Sequence, residues 1–133
     1  MWVAPRLRMT TTHQKVLQEE VLLATELMDR GNLDGAFRHL ERVHVLGQTN
    51  VRWHVLAHWL MLKIAIRRGR GIAAIGQAAR IVLGAIGSAV GIIPTGNTGG
   101  SDVSMFARMP IAPELIRVME GTNPETRAHG NPV

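Results

Sequence analysis

The residues in this chain best equipped for chemistry are histidines, and four of the six lie between Phe37 and Leu62. Within that stretch Glu41-x-x-His44 precedes a turn at Gly47 to Asn50, and His54-x-x-x-His58 follows it. Spacings of three and four put each pair on one helix face. In an antiparallel hairpin, facing residues have position numbers that add to a nearly constant value. The pairs 44 with 54 and 41 with 58 meet that condition almost equally well. A carboxylate and three imidazoles are therefore expected to converge between two helices, which is the donor chemistry of a transition-metal site.

Three helices must position these groups. Thr10 to Thr12 can supply an N-cap, after which Val16, Leu23 and Leu27 recur at helical spacing, so the first helix is read as His13 to Arg30 with Gly31-Asn32 as its stop. Glu20 occupies a position in this stripe that suits an apolar side chain. The conservative reading places it at the solvated edge of a narrow stripe. The chemical reading brings it level with Glu41 when helix one folds back on helix two, giving Glu20, Glu41, His44, His54 and His58 as a five-residue ligand set for one metal with an open position, or for two metals with shared carboxylates. Glu-x-x-His is the unit that ferritin-like carboxylate proteins use twice. Here it occurs once, with His54 and His58 standing in for the second copy.

Helix two starts at Asn32 to Asp34, carries Ala36, Leu40 and Val43 as its apolar stripe, and ends at Gly47. Helix three, Val51 to Arg68, is apolar around most of its circumference and is expected to be largely covered. After Arg67-Arg68-Gly69-Arg70 comes Ile72 to Ile93, rich in glycine and alanine, with Arg80 as its one charge. Its length suits a membrane span and Gly87-x-x-x-Gly91 could pack tightly. Gln77 and Arg80 inside it favour instead a fourth helix packed through its small face. From Pro94 to Leu115 glycine and proline preclude long regular structure, yet Val103, Met105, Phe106, Met109 and Ile111 are too apolar for a linker, so this segment is read as a wrap across the bundle. A short helix, Pro113 to Glu120, follows with proline at its start.

Composition removes several chemistries. There are no cysteines, which excludes disulfides, thiolate zinc sites, iron–sulfur clusters and cysteine nucleophiles. The formal net charge of +5 comes largely from arginine, but tyrosine is absent and aromatics are few, so the stacking surfaces of nucleic-acid binders are missing and no nucleic-acid partner is expected. The GNTGG run lacks the lysine and following hydroxyl residue of a phosphate-binding loop and reads as a turn cluster. Ser88, Ser101 and Ser104 have no nucleophile-elbow context. With imidazole and carboxylate ligands and no sulfur, the metal could be iron, zinc, manganese or copper. His13 and His39 read as capping, hydrogen-bonding or surface residues, His129 lies in a polar tail, and Asp102 is at most an extra ligand.

Two resemblances add to this. Leu23, Ala24, Leu27, Gly31, Ala36, Leu40 and Val43 resemble the spacing of one tetratricopeptide repeat, a helical hairpin, with no second copy after it. The PxGNTGG segment, the Met-Pro-Ile-x-Pro run and the histidine-rich paired helices resemble a family of small, uncharacterised bacterial proteins. That resemblance covers helix one to Leu115 and implies a small bacterial, cytoplasmic helical protein of unassigned activity.

The expectation is an all-α, four-helix bundle-like domain over 13–120 with a tetratricopeptide-like hairpin and an irregular C-terminal wrap, between an arm at 1–12 and a tail at 121–133. Its expected function is to bind a transition metal, mono- or dinuclear, for metal handling or redox chemistry. The alternatives are a buried polar network without metal, and a helical interaction module that binds a partner protein or forms a homo-oligomer. Membrane attachment is the least favoured.

Overall fold

A computed structural model describes residues 9–90, 99–100 and 108–121, apart from the side chains at 88 and 89. Asp102, His129, most of the arm and tail, and most of the glycine-rich loop lie outside the described residues. The described residues form helices and no strands: α1 (Thr11–Asp29), α2 (Leu33–Gly47), α3 (Val51–Arg67), α4 (Gly71–Val90) and α5 (Pro113–Met119).

Polar and glycine residues set the helix ends. The Thr10 hydroxyl accepts from the His13 amide at 3.1 Å, so α1 begins two residues earlier than the apolar pattern alone indicates. Its other end is closed by Gly31 at φ +77°, where the amides of Gly31 and Asn32 donate to the carbonyls of Met28 and Leu27. Asn32 then caps α2 by accepting from the Gly35 amide, and the chain reverses in three residues. Asn50 does the same for α3 through the amides of Arg52 and Trp53. Gly69, at φ +66°, ends α3 with the same pair of bonds, from Gly69 to Ile66 and from Arg70 to Ala65. Short connections of this kind make sequential helices antiparallel neighbours.

Two adjoining clusters hold the helices together. Ala24, Met28, Ala36, Leu40, Met61 and Ile64 join α1, α2 and α3 at one end. Leu17, Val43, Leu46, Ala57 and Leu115 join them to α5 at the other, with Ile111 and Ala112 of the preceding segment packed against this group. Burying a leucine such as Leu17 or Leu40 completely contributes about 1.5–3 kcal/mol. The Arg42 guanidinium ties α2 to Glu114 of α5 at 3.5 Å. Gly47 is needed at the α2–α3 turn because a Cβ there would collide with Cβ of Trp53.

α3 is less covered than its composition predicts. It packs on α2 along one side and on α4 along another, and the remaining strip leaves Trp59 48% and Ile66 63% exposed. Among the described residues no helix is long and apolar enough to cross a membrane.

Candidate metal centre

The hairpin of α2 and α3 brings three of the predicted ligands together. His44 lies in the last turn of α2, His54 in the first turn of α3, and His58 one turn later. All three are buried, with 2–5% of their surface exposed. Nε2 of His54 lies 3.2 Å from Nε2 of His44 and 3.1 Å from Nε2 of His58. The ring centroids are 4.6–4.9 Å apart. One ligand nitrogen from each ring falls within 4.8 Å of the other two, a group that could hold a metal ion.

The surroundings decide which nitrogens carry protons. His54 Nδ1 is 3.2 Å from the Gln48 carbonyl, which can only accept, so Nδ1 carries the hydrogen and donates it. Gln77 donates from its amide nitrogen to the Gly99 carbonyl at 3.0 Å, which turns its oxygen toward His58 Nδ1 at 2.8 Å. That nitrogen therefore also donates. Burial pushes the pKa of His54 down, and burial pushes that of His58 down to about 4, assisted by the charges of His54 and Arg80 against the opposing Gln77 bond. Both rings are neutral near neutral pH, and with Nδ1 protonated each turns the lone pair of Nε2 toward the other at 3.1 Å. His44 Nε2 stands 3.2 Å from His54 Nε2, so three imidazole nitrogens converge at this point. A cation between these nitrogens would be held by their lone pairs.

Two of the three spacings suit such an ion. Two imidazole nitrogens at about 2.0–2.1 Å from a tetrahedral ion stand about 3.3–3.4 Å apart. The observed separations of 3.1 and 3.2 Å are close to that value.

The two glutamates are placed differently. Glu20 is buried, not at a solvated edge, and its oxygens are taken by His39 Nδ1 at 2.6 Å and Arg42 Nε at 2.7 Å. Its position in the apolar stripe of α1 is thus explained by a three-residue polar bridge between α1 and α2. Glu41 is half-buried and lines a cleft of about 370 Å³ together with Asp34, Arg38, Arg68, Met61 and Gln77. Neither carboxylate joins the three imidazoles within the 4.8 Å group found among the described residues. His13 acts structurally: its Nε2 lies 2.8 Å from the Leu46 carbonyl and so ties α1 to the end of α2.

The residues that complete the centre come from outside the hairpin. Gln77 of α4, 1% exposed, orients His58 and holds Gly99. Gly99, at φ +80°, approaches the His44 ring so closely that a Cβ would stand 2.8 Å from it. Gly84 allows α4 the same approach to His54, where a Cβ would lie 2.7 Å from Nε2. The end of the glycine-rich run therefore belongs to this site. Gln77 was signalled in the sequence only as a polar residue in an apolar run.

A match to a family model described as Protein of unknown function (DUF3703) spans residues 11–119. No curated protein and no solved structure matches the chain. The matched span includes α1 to α5 and every residue of the three-histidine group, and the chain belongs to this uncharacterised family.

Proposed function

We propose that this protein holds one transition-metal ion through Nε2 of His44, His54 and His58, and that it serves in metal handling or redox chemistry. The observation that carries the reading is the convergence of the three buried imidazoles, with Nε2 of His54 3.1 Å from Nε2 of His58 and an oxygen acceptor facing Nδ1 of each of these two rings. An imidazole whose Nδ1–H is held by a carbonyl or amide oxygen is the usual arrangement around a ligating histidine. Three neutral nitrogens and no sulfur suit zinc, copper or iron better than manganese, which favours oxygen donors. Three protein ligands leave a tetrahedral ion one further position. Glu41, one turn before His44, is the carboxylate proposed to reach that position by a change of rotamer. Glu20 is not retained in the set, because its oxygens already bridge His39 and Arg42.

Burial favours holding over turnover. An ion at these nitrogens would be shielded from solvent by α4 and by Gly99, which suits retention of the ion or electron transfer better than conversion of a bulky substrate. The test is linkage between metal and folding. An ion present at about a hundred times its dissociation constant stabilises the native state by about 2.7 kcal/mol. Zinc, copper or iron should accordingly raise the melting temperature of the wild-type chain and leave His54→Gln/His58→Gln unshifted. Equal shifts in both proteins would contradict the assignment.

A further inference from the structure

Among the described residues, none covers the face of α4 opposite the histidines. Ile72, Ile75, Val82 and Ile86 are 90%, 72%, 60% and 60% exposed. With the exposed Ala79 they follow one another at alternating spacings of three and four residues, the interval of a coiled-coil seam. Leu83 and Val90 widen the same stripe. Ala78 and Ala85 flank its other edge, and side chains this small let a second helix approach toward the short end of the usual 8–10 Å range. The only charged residue between Gly71 and Val90 is Arg80, which is buried and contributes to the field at His58.

The exposed area is that of an interface. Six such aliphatic side chains present roughly 700 Å², close to the roughly 800 Å² per partner of a standard protein interface and larger than the apolar patches most monomers tolerate. A face that is uniformly apolar, with a strict seam and small flanks, is complementary to itself. Charge then fixes the direction. Arg67, Arg68 and Arg70 cluster at the N-terminal end of α4, where the helix dipole is also positive. A parallel pair would put these arginines together, whereas an antiparallel pair separates them by about 30 Å, the length of a twenty-residue helix.

We propose that two copies of this chain associate through α4, packed antiparallel, with Ile75 of each copy against Ile86 of the other and Ala79 against Val82 near the two-fold axis. The dimer encloses the seam on both copies and leaves the histidine centre on the inner face of each α4. It does not depend on the metal reading.

Sedimentation equilibrium tests it. The wild-type chain should show twice the mass of one chain, and Val82→Asp/Ile86→Asp should show the mass of one chain with unchanged helical circular dichroism. A wild-type monomer across the concentration range would overturn the proposal, whether or not the protein then binds lipid vesicles or another protein. A double variant that remains dimeric would also overturn it. Because the chain has no cysteines, orientation is read by mixing Ile75→Cys with Ile86→Cys under mild oxidation. The mixed cross-link supports the antiparallel dimer, and efficient cross-linking of Ile75→Cys alone contradicts it.

Discussion

Replacing Gln77 by leucine removes the one side chain that both orients a proposed ligand and holds the glycine-rich segment. Gln77 is 1% exposed, accepts from His58 Nδ1–H at 2.8 Å and donates to the Gly99 carbonyl at 3.0 Å. Leucine fills much the same space and satisfies neither partner. Each group left buried without a hydrogen bond costs about 1–3 kcal/mol, so the variant should lose about 2–5 kcal/mol after partial relaxation. That is a large share of a typical stability of about 5–15 kcal/mol, but the fold should persist. Freed from its acceptor, His58 can move its proton to Nε2 and withdraw the lone pair the ion needs. Loss of such an outer partner lowers metal affinity by about 10–100-fold. Gln77→Glu separates the two effects. Its carboxylate still accepts from His58 but, when ionised, has nothing to donate to Gly99, so stability should fall while affinity is retained. Urea unfolding of the metal-free proteins and competition with a chromogenic chelator measure the two quantities. Wild-type affinity in Gln77→Leu would refute the tautomer argument.

Acid should destabilise the metal-free protein through His58. Its folded pKa is depressed from 6.5 to about 4, so the unfolded chain binds the proton more readily. Stability is full above 6.5 and is lost as pH falls toward 4, by about 3 kcal/mol from this group; a urea midpoint that stays constant across that window would contradict the sign. Gly99→Ala should displace His44 and strain a backbone at φ +80°, with a cost of about 1–3 kcal/mol and weakened metal binding, read by calorimetry. Glu20→Gln should lower stability by about 1–2 kcal/mol through the weakened bridge to His39 and Arg42, with the metal content unchanged; loss of the ion in this variant would restore Glu20 to the ligand set.

The parts of the fold legible in the sequence are those fixed by local chemistry. Asn50, Gly31 and Gly69 set helix ends wherever they occur, and the four-residue interval between His54 and His58 dictates a shared face. The sum rule for a hairpin correctly brought His44 to His54, because the α2–α3 turn is short enough to fix register. It did not bring Glu41 to the same three nitrogens, since a side chain one turn away can serve a neighbouring cleft equally well. Glu20 shows the limit of periodicity: its stripe position was read as a solvated edge or a metal ligand, whereas it is buried with its oxygens held by His39 and Arg42 of α2. Gln77, Gly84 and Gly99 were illegible for a different reason. Their role depends on how α4 and the following segment dock onto the hairpin, and no local spacing encodes that docking. The exposure of Trp59 and Ile66 follows from the same docking, which covers two sides of α3 and leaves the third open.

The central claim is tested most directly by X-ray absorption spectroscopy on the protein loaded with zinc, copper or iron, together with its metal content. The account predicts one ion per chain and a first coordination shell containing three imidazole nitrogens, at about 2.0–2.1 Å for zinc. Fewer than about 0.2 ions per chain after loading, or a shell of oxygen atoms alone, would contradict it.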